Sequence, residues 1–279
     1  MSKLEKETDR YVVPALRRGL AVLQCFRSDR RLLGVPEISR ELGLPRATTF
    51  RLVYTLRGEG YLMQAPGSNL YKLGHRVLSL GFEYLHSDEI VEIARPFLES
   101  LRDRHNASAH LGIRDGMFAV YICRAPSRQR LSSNVTVGTR LPAHAASVGR
   151  ALLLDLTDRE LTDLYDGFSF EVFSDQTPAD LEALRAQLRK ERDLGYVAYR
   201  SAFALGIASA AAPVRDRSGE IVAAINVSDY ESLPCMAELS GKLKDDVVRA
   251  ALDISMLLGY QPSAKGSVSK PQCSGASPR

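Results

Sequence analysis

Residues 34–73, GVPEISRELGLPRATTFRLVYTLRGEGYLMQAPGSNLYKL, decide how the N-terminal part of this chain folds. Val35, Ile38 and Leu42 recur at helical spacing, and Gly43 ends that run. Pro45 opens a second helix, because a proline in the first turn loses an N–H that has no helical partner there. Thr49, Leu52, Val53 and Leu56 then fall at i, i+3, i+4 and i+7 and form one inward face. Arg46, Ala47, Phe50, Arg51 and Tyr54 occupy the opposite face. Guanidinium groups separated by flat and small side chains suit phosphates, guanine edges and thymine methyls, so this is the composition of a DNA-reading surface. Gly58 and Gly60 stop the helix. Tyr61–Gln64 and Leu70–Leu73 read as two strands around the turn 65–69. A helix, a glycine turn, a basic helix and a short hairpin, in that order, predict a winged helix-turn-helix.

Charge follows the same division. The chain carries +4 overall, but residues 1–86 hold 14 Lys and Arg against 8 Asp and Glu, and the remainder 23 against 25. Positive charge gathered on the winged helix suits a phosphate backbone and makes binding salt-dependent.

With 279 residues, 45% of them hydrophobic, the chain has material for two cores. It has no apolar run of membrane-spanning length, and MSKLEKETDR lacks an apolar leader, so a soluble cytoplasmic protein without a membrane partner is expected. Cys25, Cys123, Cys235 and Cys273 are scattered, with no CxxC or Cys/His cluster. They predict no zinc site, no disulfide scaffold and no cofactor. Redox chemistry lacks a second nearby thiol, the five histidines form no HExxH, and Ser147 sits in ASVGR rather than GxSxG. No enzyme is expected; a redox enzyme remains the alternative from that class.

In chain order, residues 1–12 are charged and aperiodic and predict a flexible N-terminus. A first helix is expected over 14–28, with Leu16, Leu20, Ala21 and Leu23 buried. Residues 75–87 read as a linker helix whose Leu78, Leu80, Phe82 and Leu85 exceed the apolar need of a connector; a dimer contact is expected, with an ordinary intramolecular core as the competing view. A helix over 88–105 follows, and from Ala107 the period changes to two. AHLGIRDGMFAVYICRA predicts a hairpin turning at Asp115-Gly116, RLSSNVTVGTRLPAHA a further strand, and residues 146–154 and 159–165 two helices. Thr177 is expected to cap a helix that Gly195 stops. Strands are expected at 196–199, 207–214 and 221–227, and a last helix at 236–258. Residues 261–279 read as a disordered tail. Residues 13–74 and 88–260 are thus an N-terminal module and an α+β domain joined by the linker.

LPRATTFRLVYTLRGEGYL followed by YKLGHRVLSLG resembles the DNA-binding half of the IclR-type transcriptional regulators, and VGTRLPAHAASVGRALL, ERDLGYVAY and AAPVRDRSGEIVAAINVS resemble their effector-binding half. The likeness covers about residues 12–260. It implies a GAF-like α+β effector domain with a curved antiparallel sheet, and a homodimer or tetramer on a pseudopalindromic double-stranded operator. On that pattern Arg46 and Arg51 contact DNA with help from Ala47, Thr48, Phe50 and Tyr54, and Lys72 and Arg76 hold phosphates. Ala47 departs from the family's usual serine and lacks its hydroxyl. More narrowly, ICRAPSRQRLSSNVTVGTRLPAHAASVGRALL resembles the branch that senses protocatechuate, p-hydroxybenzoate or β-ketoadipate-pathway acids.

Small residues after Pro142-Ala143-His144 leave first-turn amides approachable by a carboxylate, or else simply permit close packing of the helix on the sheet. The resemblance puts the effector beside them, so Ala146, Ser147, Val148 and Gly149 are candidate effector residues, with Ser209 and Ser228. Where many relatives carry acids this chain has YVAYRSAFAL. Arg200 is expected to clamp a carboxylate and Tyr199 or Phe203 to form a flat wall, the equal alternative being that Arg200 points to solvent and the departure means only that the usual effector is not guaranteed. A ligand-independent DNA-binding protein is the competing function.

Overall fold

The computed structural model describes residues 11–27, 29–87, 89–129, 135–237 and 239–262. The expected flexible N-terminus falls outside them apart from Tyr11 and Val12, as do residues 263–279 of the expected tail and residues 130–134 of the expected additional strand. The chain divides into two compact units, 1–87 and 88–279.

In the first unit α1 (Pro14–Gln24) is followed by β1 (Leu33–Gly34), α2 (Val35–Leu42), α3 (Arg46–Gly58), β2 (Leu62–Gln64), β3 (Leu70–Leu73) and α4 (His75–Ser87). Gly43 ends α2 with φ 63°, a left-handed conformation that glycine takes without a steric penalty. Pro45 stands just before α3 as its N-cap, extended at ψ 140°. Thr49 and Val53 are fully buried and Leu52 and Leu56 pack beside them, as the spacing predicts. The wing strands pair antiparallel with Met63 opposite Lys72, and β1, absent from the sequence expectation, adds Leu33 opposite Tyr71. A two-residue strand has no period to read.

Two expectations for α1 are corrected. The helix stops at Gln24, and its buried side is Gly19 and Val22, continued by Cys25 and Phe26; Leu16 and Leu20 are more than half exposed. Val22, Cys25 and Phe26 join Ile38, Val53, Leu62 and Tyr71 in one core. In α4, Leu78 and Leu80 lie on the surface; the side chains of Phe82 and Leu85 are outside the described ones.

The second unit runs α5 (Glu89–His105), β4 (Ser108–Asp115), β5 (Phe118–Ala125), β6 (Arg140–Pro142), α6 (Ser147–Leu153), α7 (Asp158–Leu164), α8 (Leu181–Leu194), β7 (Val197–Arg200), β8 (Ile207–Arg215), β9 (Ile221–Tyr230), α9 (Pro234–Ala237) and α10 (Lys244–Leu257). Six antiparallel strands lie in the order β6-β5-β4-β9-β8-β7. Helix α5 packs on β4 and β5, α10 on β8 and β9, and α6 against β7, β8 and β9. This is an α+β domain with a curved antiparallel sheet. Two further expectations change. The final helix is broken at Gly241 (φ −111°, ψ −123°) before α10 begins. Helix α8 is capped by Asp180, whose carboxylate accepts from the Ala183 N–H at 2.7 Å. Thr177 instead donates to the Ala202 carbonyl and accepts from the amides of Phe173 and Ser174, a tertiary role invisible to local pattern. Replacing Asp180 with alanine should cost about 1 kcal/mol by urea denaturation, the ordinary value of an N-cap; Thr177→Ala should not fray α8 in circular dichroism.

Candidate DNA-binding surface and effector cavity

Sealing Thr49 and Val53 into the core turns the other side of α3 outward. Arg46, Ala47, Phe50, Arg51 and Tyr54 are exposed there, and Thr48 is half-buried beside them. The exposed rings of Phe50 (52%) and Tyr54 (58%) stand 6.2 Å apart, so hydrocarbon is left open to water between guanidinium groups. An apolar patch on a folded surface marks a contact, and guanidinium groups around it fit nucleic acid. Lys72 is exposed on β3, and Arg76 at the start of α4 lies 3.6 Å from Glu59 across an exposed pair. One link escaped the sequence reading. Arg57 donates to Gln64 Oε1 at 3.0 Å, and Gln64 Nε2 donates to the Ser68 carbonyl at 2.8 Å, tying the end of α3 to the wing turn.

In the second unit a cavity of about 80 Å³ opens between the start of α6 and the sheet. Ala146, Ser147, Tyr199, Phe203, Ser209 and Ser228 line it, as the sequence suggested; Tyr121, Leu141 and Asn226 also do, and were missed. A hydrogen-bonded chain crosses its floor: Ser147 Oγ meets Ser209 Oγ at 2.6 Å, and Asn226 Nδ2 donates to Ser209 Oγ at 3.1 Å. Among the described residues Asn226 Oδ1 is buried without a hydrogen-bond partner, an acceptor left over for a ligand donor or a water. Below Tyr121, His110 stacks on its ring at 4.6 Å; complete burial pushes the imidazole down to about 3 and the Tyr121 phenol upward, so both are neutral at pH 7.

Three expectations about this site are corrected. Val148 and Gly149 do not line the cavity. Val148 packs on Gly112, where a Cβ would lie 2.9 Å from its Cγ2, and a Cβ on Gly149 would lie 2.3 Å from Ala143 Cα, so these small residues serve close packing. The Ser147 amide is taken, since it donates to Tyr199 Oη at 2.8 Å. Arg200 points elsewhere: it is exposed and Nη2 donates to the carbonyl of Met236 at 2.7 Å. Behind Tyr199 stands a buried ion pair, Arg150 and Glu191 at 2.9 Å, with the Arg150 guanidinium 4.8 Å from the Tyr199 ring centre. Burial pushes the Glu191 carboxyl up, opposed by Arg150 beside it.

Among the described residues no group of His, Cys, Asp and Glu could hold a metal ion, and no helix is long and apolar enough to cross a membrane. The IclR helix-turn-helix domain matches residues 15–66, and the bacterial transcriptional regulator IclR C-terminal domain matches residues 82–256. The HTH-type transcriptional regulator XynR of Escherichia coli K12 is 30% identical over 89% of this chain and 98% of its own length. The Pca regulon regulatory protein of Pseudomonas putida is 32% identical over 86% and 82%. The crystal structure of a Rhodococcus sp. RHA1 transcriptional regulator superposes with a TM-score of 0.76 at 34% identity, over 88% of this chain and 98% of that one. These relatives are named as regulators, and the two matched domains fall on the basic winged helix and on the cavity-bearing unit described above. This chain belongs to the IclR family of bacterial transcriptional regulators, with a helix-turn-helix DNA-binding domain and an effector-binding domain.

Proposed function

We propose that this regulator binds a pseudopalindromic operator as a homodimer or tetramer in the cytoplasm, and that an aromatic or other small carboxylic acid in the α6 cavity sets its affinity for DNA. The observation that carries the first half is the exposed row Arg46, Ala47, Phe50, Arg51 and Tyr54 on a helix whose other side is sealed. Thr48 assists them, Arg46 and Arg51 address bases or phosphates, and Lys72 and Arg76 grip the backbone near the wing. Leu16 and Leu20 of α1, left on the surface, and Leu78 and Leu80 of α4 offer the apolar area that self-association needs.

For the second half, Tyr121, Tyr199 and Phe203 supply ring surface, while Ser147, Ser209, Asn226 and Ser228 supply polar atoms. That mixture orients a flat ligand carrying oxygen groups. Among the described residues no cation lines the cavity, and the donors it offers a carboxylate are hydroxyls and an amide. Likeness to the Pca regulon regulatory protein supports the acid class. The acid regulates only insofar as it binds one placement of the DNA-binding modules better than another.

A thermal-shift series on the full chain with p-hydroxybenzoate, protocatechuate and short-chain acids tests the cavity. One acid is expected to raise the melting temperature, and Ser209→Val to abolish that rise. An undiminished rise in Ser209→Val would remove the ligand from this cavity.

A further inference from the structure

Tyr199 is a wall shared by two hollows. On its other side lies a crevice of about 400 Å³, bordered also by Arg150, Gln176, Gln187, Arg200 and Ser240. Where the α6 cavity is lined by hydroxyls, an amide and apolar groups, this one has two guanidinium groups. Arg150 is only 2% exposed, and its Nε has no hydrogen-bond partner among the described residues. A buried charged N–H without an acceptor is costly, and an acceptor entering the crevice would relieve it. Arg200 sits at the mouth, held by Nη2 to the carbonyls of Met236 and Ala237 at 2.7 and 3.4 Å. Glu191 answers the charge of Arg150, whereas the described contacts of Arg200 are to neutral carbonyls. Among the described residues the crevice therefore has the Arg200 guanidinium at its rim, with no carboxylate in its lining, and amide and hydroxyl groups around it.

We infer that this crevice is a second ligand site, which takes the oxyanion of a small carboxylate or phosphate metabolite between Arg200, Gln176 and the buried edge of Arg150. Guanidinium recognition of an oxyanion is directional and charge-assisted, and Arg200 is already oriented by two carbonyls. A consequence rests on the α6 cavity being the effector site. Arg150 lies over the Tyr199 ring and Tyr199 Oη holds the Ser147 amide, so an anion that draws on Arg150 biases the wall of the first cavity. The two ligands then modulate each other's affinity by the same factor.

Isothermal titration calorimetry on the full chain, with no DNA and no aromatic acid present, tests the site itself. Inorganic phosphate and succinate are titrated separately at fixed ionic strength into wild type, Arg200→Ala, Gln176→Leu and Ser209→Val. Gln176 is chosen because its side chain makes no hydrogen bond among the described residues, so its loss leaves the fold intact. Saturable binding of at least one anion is expected, weakened tenfold or more in Arg200→Ala and several-fold in Gln176→Leu. Saturation with phosphate alone assigns a phosphoryl ligand, and with succinate alone a carboxylate. Three results overturn the proposal: no saturation with either anion through the millimolar range, wild-type affinity in Arg200→Ala or in Gln176→Leu, or loss confined to Ser209→Val. The last would put the anion in the α6 cavity, while the effector proposal would stand.

Discussion

Glu191→Ala is expected to destabilise the effector domain by about 3 to 5 kcal/mol, the cost of stranding a buried guanidinium by removing its partner. Arg150 and Glu191 are 2% and 3% exposed and meet at 2.9 Å, with Gln187 donating to Glu191 at 2.7 Å. With only 2% of Arg150 exposed, water in the neighbouring crevice does not fully replace the lost carboxylate. The loss is large against the roughly 5 to 15 kcal/mol by which a domain is stable. Urea denaturation of Glu191→Ala, Arg150→Met and the double variant Arg150→Met with Glu191→Leu separates this from generic damage. The double replacement should recover much of the loss, because an apolar pair of similar volume leaves no orphaned charge. A loss below about 1 kcal/mol in Glu191→Ala, the value of an exposed pair, would contradict the buried-pair account.

The second large effect concerns DNA. Arg51→Ala should cost about 1 to 3 kcal/mol of operator binding and relax discrimination at one base step, because a bidentate base contact is both strong and selective. Lys72→Ala should weaken operator and unrelated DNA alike and reduce the salt slope by about one, as the loss of one phosphate contact does. Anisotropy titrations on operator and scrambled duplexes across salt distinguish these patterns. An Arg51→Ala protein with wild-type affinity and selectivity would mean that α3 does not present Arg51 to the bases.

How legible these features were depends on how far away their partners lie. The two faces of α3 could be read because Thr49, Leu52, Val53 and Leu56 define the buried side by local spacing alone, and Arg46, Phe50, Arg51 and Tyr54 follow by exclusion. Helix α1 has apolar residues on two edges. Only the arrival of Ile38, Val53 and Tyr71 decides that Val22, Cys25 and Phe26 are buried rather than Leu16 and Leu20. Thr177 carries a sound local capping signal, which a carbonyl 25 residues away at Ala202 overrides.

The site divides in the same way. Ser209 and Ser228 face each other across β8 and β9, and Asn226 is two residues from Ser228 on the same face of its strand, so the alternation that placed the serines already contained the asparagine. Arg200 follows Tyr199 directly and therefore leaves the strand in the opposite direction, which takes it from the α6 cavity to the carbonyls of α9. Nothing local marks Arg150 as buried, because its partner Glu191 comes from another helix 41 positions later.

The most direct test of the central claim is fluorescence anisotropy of the full chain on a DNA fragment recovered by genomic selection, across salt, with and without the panel of aromatic and short-chain acids. The account predicts selective binding over scrambled DNA, a steep fall of affinity with salt, and a change of affinity with one of the acids. Selection that enriches no fragment, or equal affinity for selected and scrambled DNA at every salt concentration, would contradict it.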